Sequence, residues 1–299
     1  YYFERLLAQR ARASDHLIVA EAAAMQRDWN TVIARTATLK SDFASNSEAK
    51  RKVPRLERLI DALMRITLLD QRIEAADAPV TEILERGLLF RELGFPELGL
   101  IDARRLVKMV PDALHVRIAY AIIGGPVWSE HERIRGWGIN PSPFRSRMPA
   151  ASFLKDLAGL ETALRENPSD GDALLRRAKL LLANSQRSLA HLDVDAALSA
   201  NPDDPQALHL KASLARDGGK YGEAVSLIDR ALLLQAEAPD ILRTGISIFA
   251  AQGEYERAIA LCDRFLALEG PNDSKDRKKV SEQRRLYYER LQQKAPVNP

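Results

Sequence analysis

The chain has 299 residues, 46% of them hydrophobic and 28% charged, with 44 basic against 41 acidic groups and a net charge of +3. That balance leaves no electrostatic footprint for nucleic acid, and the lone Cys262 excludes an intrachain disulfide framework and a cysteine-rich zinc site. No stretch reaches the roughly 18 apolar residues that span a bilayer; the run Ile118 to Val127 is broken by Gly124, Gly125 and Pro126.

Leu, Ala, Arg and Glu are abundant and aromatics make up only 6%, a bias that favours helices. At the start, Tyr1-Tyr2-Phe3 with Arg5, Arg10 and Arg12 suits residues that follow a membrane anchor, because aromatic and basic side chains favour that interface. A trimmed soluble piece reads equally well. The compartment therefore stays open: cytoplasmic, or periplasmic and tethered to the inner membrane. Arg27-Asp28-Trp29 reads as a hairpin turn, with Val32, Ile33, Thr36 and Leu39 as the stripe of the helix after it. Beyond the polar stretch Ser41 to Arg51, a long helix is expected through Leu56, Leu59, Ile60, Leu63, Ile66, Leu69 and Ile73. Residues 1–78 thus form degenerate helical hairpins. A coiled-coil segment is the alternative, against which the apolar register drifts.

Residues 79–170 continue the pattern. Pro79 to Pro111 holds two helices around the turn Gly94-Phe95-Pro96, with Gly99 at their close contact. Pro111 to Pro168 is too long for one such unit and reads as helices over 113–123 and 151–166, separated by an insertion at about 124–149.

Residues 171–272 carry the main signal. Gly171 to Asp204, Pro205 to Ala238 and Pro239 to Asn272 are each 34 residues long. Each has an apolar run, a polar turn and a second apolar run. Gly218-Gly219-Lys220-Tyr221 and Gln252-Gly253-Glu254-Tyr255 fall one period apart, and glycine ends a helix by accepting a left-handed conformation. Ala190, Ala224 and Ala258 then let two antiparallel helices approach closely, as do Ala197 and Ala231 further on, where the third segment has Phe265. Ala224, Leu227, Ile228, Ala231 and Leu232 make one apolar stripe. Asn167-Pro168 and Asn201-Pro202 close their segments. Residues 273–299 supply a polar capping helix over Lys275 to Gln293, with Val280, Tyr287 and Leu291 on its covered side, and a tail.

These recurring small and breaker residues resemble the tetratricopeptide repeat family, closely over Gly171 to Asn272. Leu174, Leu208 and Leu242 replace the family's large aromatic early in the first helix. The resemblance implies an all-α, right-handed α-solenoid of antiparallel helix pairs, a tetratricopeptide-like superhelix. It also implies that first helices line a groove, whose facing positions map to Leu175, Lys179, His209, Ser213, Arg216, Arg243 and Ser247, with Arg176 close by. Four of these eight are Arg or Lys, so an extended or helical peptide of acidic character is the expected partner. The family's carboxylate clamp for chaperone tails is not reproduced: Leu175 and Lys179 stand at its lysine and asparagine places.

Little else carries chemistry. No two of His16, His115, His131, His191 and His209 stand at metal-binding helical spacing, and Glu130-His131-Glu132 is too compact a run to converge on one ion. Gly218-Gly219-Lys220 lacks the remaining glycine and the hydroxyl of a phosphate loop. No nucleophile elbow occurs, and Cys262 falls inside an apolar stripe. No catalytic residue, metal or cofactor is therefore expected. The insertion is the second candidate surface, through Trp128, Arg133, Arg135 and Trp137; its tryptophans either anchor a partner or fold back over the widened repeat, the latter being favoured. The function expected is a non-catalytic scaffold or adaptor for another protein, with association to an envelope as one setting. The alternatives are a structural subunit that self-associates through its N-terminal helices, and an enzyme with its site in the insertion.

Overall fold

The computed structural model describes residues 13–25, 28–73, 79–146, 149, 152–268 and 275–294. The aromatic and basic segment Tyr1 to Arg12, and Arg27 of the first expected turn, lie outside them. Among the described residues every regular element is helical. The α-helices are α1 (Ala13–Met25), α2 (Trp29–Ser41), α3 (Ser47–Ile73), α4 (Val80–Glu92), α5 (Pro96–Met109), α6 (Leu114–Gly124), α7 (His131–Gly136), α8 (Ser152–Glu166), α9 (Gly171–Ala183), α10 (Arg187–Ala200), α11 (Pro205–Asp217), α12 (Tyr221–Leu234), α13 (Pro239–Gln252), α14 (Tyr255–Ala267) and α15 (Lys275–Lys294). None is long and apolar enough to cross a membrane among the described residues. The chain forms two compact units: Tyr1–His131 with Phe144–Met148, and Glu132–Pro143 with Pro149–Pro299.

In the first unit α1, α2 and α3 share a core of Leu17, Ala20, Val32, Leu39, Val53 and Leu56. The Asp28 carboxylate caps α2, accepting from the Thr31 amide at 3.2 Å. Of the stripe expected on α2, Val32, Thr36 and Leu39 are buried, but Ile33 is 45% exposed. One residue beyond Val32, it is turned about 100° away from the core. The long helix also starts earlier than its apolar pattern. The Asn46 side chain accepts from the amides of Glu48 and Ala49, both at 3.0 Å, so α3 begins at Ser47 and carries Pro54 inside it. A second core of Leu69, Ile73, Ile83, Leu106 and Val116 joins α3, α4, α5 and α6.

Four hairpins turn in the same way: α4/α5, α9/α10, α11/α12 and α13/α14. Each corner holds one left-handed residue, Gly94 (φ 87°), Ser185 (φ 59°), Gly219 (φ 75°) or Gly253 (φ 80°). The next amide then bonds the carbonyl five residues back: Phe95 to Phe90 at 2.8 Å, and Gln186 to Leu181, Lys220 to Ala215 and Glu254 to Phe249 at 2.9 Å each. This closure satisfies a helix-end carbonyl that would otherwise lack a donor. Five residues past each corner stand Gly99, Ala190, Ala224 and Ala258; all are buried, the three alanines with no exposed surface. Small side chains there let the paired helices meet nearly backbone to backbone. The last three corners are 34 residues apart.

Ser185 is the one corner residue with a side chain, and its Cβ strains the left-handed conformation. Ser185→Gly is expected to raise stability by about 1 kcal/mol, and Gly219→Ala to lower it by about as much. Urea unfolding followed by circular dichroism reads both; a Ser185→Gly chain less stable than the parent would refute the account of this corner.

In the second unit, Asp170 and Asp204 cap α9 and α11, Asp204 accepting from the Gln206 and Ala207 amides at 2.8 and 2.9 Å. Pro205 and Pro239 open their helices, where a missing amide hydrogen costs nothing. The end of the unit is covered by α15. Val280 and Tyr287 are buried against α14, the Tyr287 ring stacks on Tyr255 at 5.9 Å, and Leu291 packs beside them.

The segment 124–149 contains two short 3-10 turns, Trp128–Glu130 and Ser142–Phe144, as well as α7. The expectation that its tryptophans fold back as a cover does not hold for Trp128, which is 69% exposed. The buried side chains of this segment include Ile134, Ile139 and Phe144.

Candidate functional site

The first helices of the three repeat pairs are α9, α11 and α13. Leu175, His209 and Arg243 share one repeat position on them, and Lys179, Ser213 and Ser247 share another, each 34 residues from the next. Side chains tie consecutive first helices together. Lys179 Nζ donates to Gln206 Oε1 at 3.5 Å, and the Arg216 guanidinium donates to Ser247 Oγ and, at 3.3 Å, to Ser213 Oγ. Left-handed corners, alanine crossings and these side-chain rows thus all recur at one interval. The chain is a repeat of antiparallel helical hairpins.

These rows differ in how available they are. Leu175 is buried and contributes packing. Arg216 pairs with Asp217 at 2.7 Å, and Arg243 with Asp240 at 2.6 Å and Asp276 of the cap at 2.7 Å. Arg176 and Lys179 are exposed and have no carboxylate partner among the described residues. His209 is only 7% exposed, and its Nδ1 is buried without a hydrogen-bond partner. Burial pushes its imidazole down to about 4; Asp240 acts in the opposite direction, while Lys179, Arg243 and Arg216 deepen the fall. The ring is therefore neutral near pH 7.

The four insertion residues divide between the two units. Trp128 belongs to the first unit, and Arg133, Arg135 and Trp137 to the second. Trp128 instead meets the Arg145 guanidinium, 4.6 Å from its ring, and the His131 ring at 4.8 Å. Sequence reasoning missed the framework beneath. Arg91 donates to the carbonyls of Ile122 and Phe144, while the buried Glu130 accepts from Arg104 at 2.6 Å and from the Tyr120 hydroxyl. Tyr120 hides in an apolar run, where a hydroxyl is the only sign of a buried polar partner. In the second unit, Gln186 Oε1 accepts from the Asn140 amide at 2.7 Å and its Nε2 donates to the Asn140 carbonyl at 3.0 Å. That exchange mimics a strand pairing and pins this loop to the α9/α10 corner.

The remaining chemical candidates are engaged structurally. Glu130 turns to Arg104 and Tyr120, and His131 Nε2 sits 2.8 Å from the Gly125 carbonyl, so the two do not converge on a shared point. Cys262 is fully buried, and its surroundings raise the thiol to about 11, mainly through burial. Gly218-Gly219-Lys220 is a hairpin corner joining two helices.

No family model matches the sequence, and comparison with curated proteins yields no match. Solved structures do show similarity. A tetratricopeptide repeat protein from Parabacteroides merdae is 16% identical, covering 91% of this chain and 95% of its own, with a TM-score of 0.37. YrrB, described as a tetratricopeptide protein with an unusual peptide-binding site, is 15% identical over 75% of this chain and 97% of its own, with a TM-score of 0.36. The yeast Tom70 structure is 11% identical over 98% of this chain and 84% of its own, with a TM-score of 0.34. The architecture assigned above rests on the chain's own geometry.

Proposed function

We propose that the chain is a non-catalytic adaptor whose second unit holds an extended or helical peptide of acidic character, from another protein, on the face made by α9, α11 and α13. One observation carries this reading. Among the described residues Arg176 and Lys179, on α9, have no carboxylate partner, and the buried Nδ1 of His209, on α11, has no hydrogen-bond partner. A carboxylate entering beside Lys179 would find an exposed ammonium. Arg216 and Arg243, each already sharing an aspartate, would exchange partners and add direction through their planar forks.

The reading is tested by recovering partners from cells with the full chain, then measuring their affinity by calorimetry. Lys179→Glu together with Arg176→Glu is expected to weaken an authentic partner at least tenfold and to leave the melting temperature within a few degrees. Equal affinity for the parent and the charge-reversed chain would reject this face as the binding surface.

A further inference from the structure

On the first unit, Trp128 stands in a 3-10 turn with 69% of its surface exposed. Both of its neighbours are held in place. His131 is buried, with Nε2 2.8 Å from the Gly125 carbonyl, so this nitrogen donates and Nδ1 is left as an acceptor. Arg145 follows Phe144, which is only 2% exposed and whose carbonyl accepts from Arg91. Gly125 has no room for a side chain: a Cβ there would lie 2.9 Å from Phe144, so the two chain segments at this corner are in close contact. Arg145 lies across the indole at 4.6 Å and points one amino group toward His131 Nδ1 at 3.4 Å. It has no carboxylate partner among the described residues, although most arginines of the repeat hairpins do.

We infer that Trp128 and Arg145 form an interaction surface separate from the α9, α11 and α13 face, and that it takes a partner-protein segment carrying a carboxylate beside an apolar side chain. The exposed indole supplies apolar area, and the unused edge of the guanidinium supplies two parallel donors in the fork that matches a carboxylate. A cation already stacked on the ring loses little side-chain freedom when it binds, and a rigid platform avoids much of the ordering cost of association. Tryptophan and arginine are also the side chains that most often concentrate binding energy at interfaces. Charge complementarity selects the occupant: a basic segment would meet Arg145 directly and be repelled.

The test uses random dodecapeptides displayed on phage and selected against the full chain, with counter-selection against Trp128→Ala. Enriched peptides are expected to place Asp or Glu next to a large apolar residue. As synthetic peptides they should bind the parent chain and Lys179→Glu equally, quench Trp128 fluorescence, and lose at least tenfold in affinity to Arg145→Glu. Circular dichroism and melting temperature should be unchanged in Arg145→Glu, because both groups are exposed. The inference is overturned if no peptide is enriched, if enriched peptides are basic, or if they bind Arg145→Glu as well as the parent. The Lys179→Glu arm keeps this outcome distinct from the fate of the other face.

Discussion

Gly99→Val is expected to destabilise the first unit by about 3 kcal/mol. At the α4/α5 crossing Gly99 faces Gly87. A Cβ on Gly99 would overlap the Gly87 carbonyl oxygen and come within 2.9 Å of Ile123 Cγ2. The first obstacle is backbone, so no rotamer change relieves it and the two helices must separate. Gly245 makes the contrast. A Cβ there would come within 2.6 Å of Leu261 Cδ1, the far end of a flexible side chain. Leu261 can rotate, and alanine gains roughly 1 kcal/mol over glycine in a helix interior, so Gly245→Ala should be close to neutral. Repeat arrays need not unfold as one unit, so hydrogen exchange is the suitable readout. Protection should fall in α4 and α5 for Gly99→Val and persist in α13 and α14. Full protection of α4 in that variant would disprove the crossing.

Asp193→Ala is expected to cost about 3 kcal/mol, because it strands a partly buried guanidinium. Arg177 and Asp193 stand eight residues before and after the corner at Ser185, and they pair through two bonds of 2.9 and 2.6 Å. The Asp193 side chain is 6% exposed and that of Arg177 is 20% exposed. Arg86 and Asp102 are the same pair about Gly94, with Asp70 as a further acceptor at 2.6 Å. The other two hairpins omit it. Around Gly219 the positions hold Lys211 and Leu227, and Lys211 turns to Asp195 of the preceding helix; around Gly253 they hold Gly245 and Leu261. The repeat therefore tolerates an apolar version of this contact. Arg177→Met combined with Asp193→Leu is expected to recover most of the loss, to within about 1 kcal/mol of the parent. If the double variant is no better than Asp193→Ala, the pair does more than satisfy itself.

The pairing was not legible in the sequence, although its symmetry about the corner is plain once the corner is known. Ser185 is the reason. Without a glycine, the α9/α10 turn carries no local sign of a left-handed residue, and only its distance from Gly219 gives it away. The insertion went the other way. Its tryptophans looked like covering groups by size, but in the first unit Phe144 is buried while Trp128 is exposed and meets Arg145. Similarly, Arg216 and Arg243 read as open cations in the sequence but share aspartates in the fold.

The sequence by itself determined the helices, their pairing into hairpins and the residues at the crossings. Those depend on short-range periodicity, on glycine and proline at turns, and on small residues at one fixed spacing. Only the tertiary structure decided which charges are already neutralised, which histidine is buried without a partner, and which tryptophan is left to solvent. Each of these depends on side chains brought together from distant segments, at distances that no local pattern encodes.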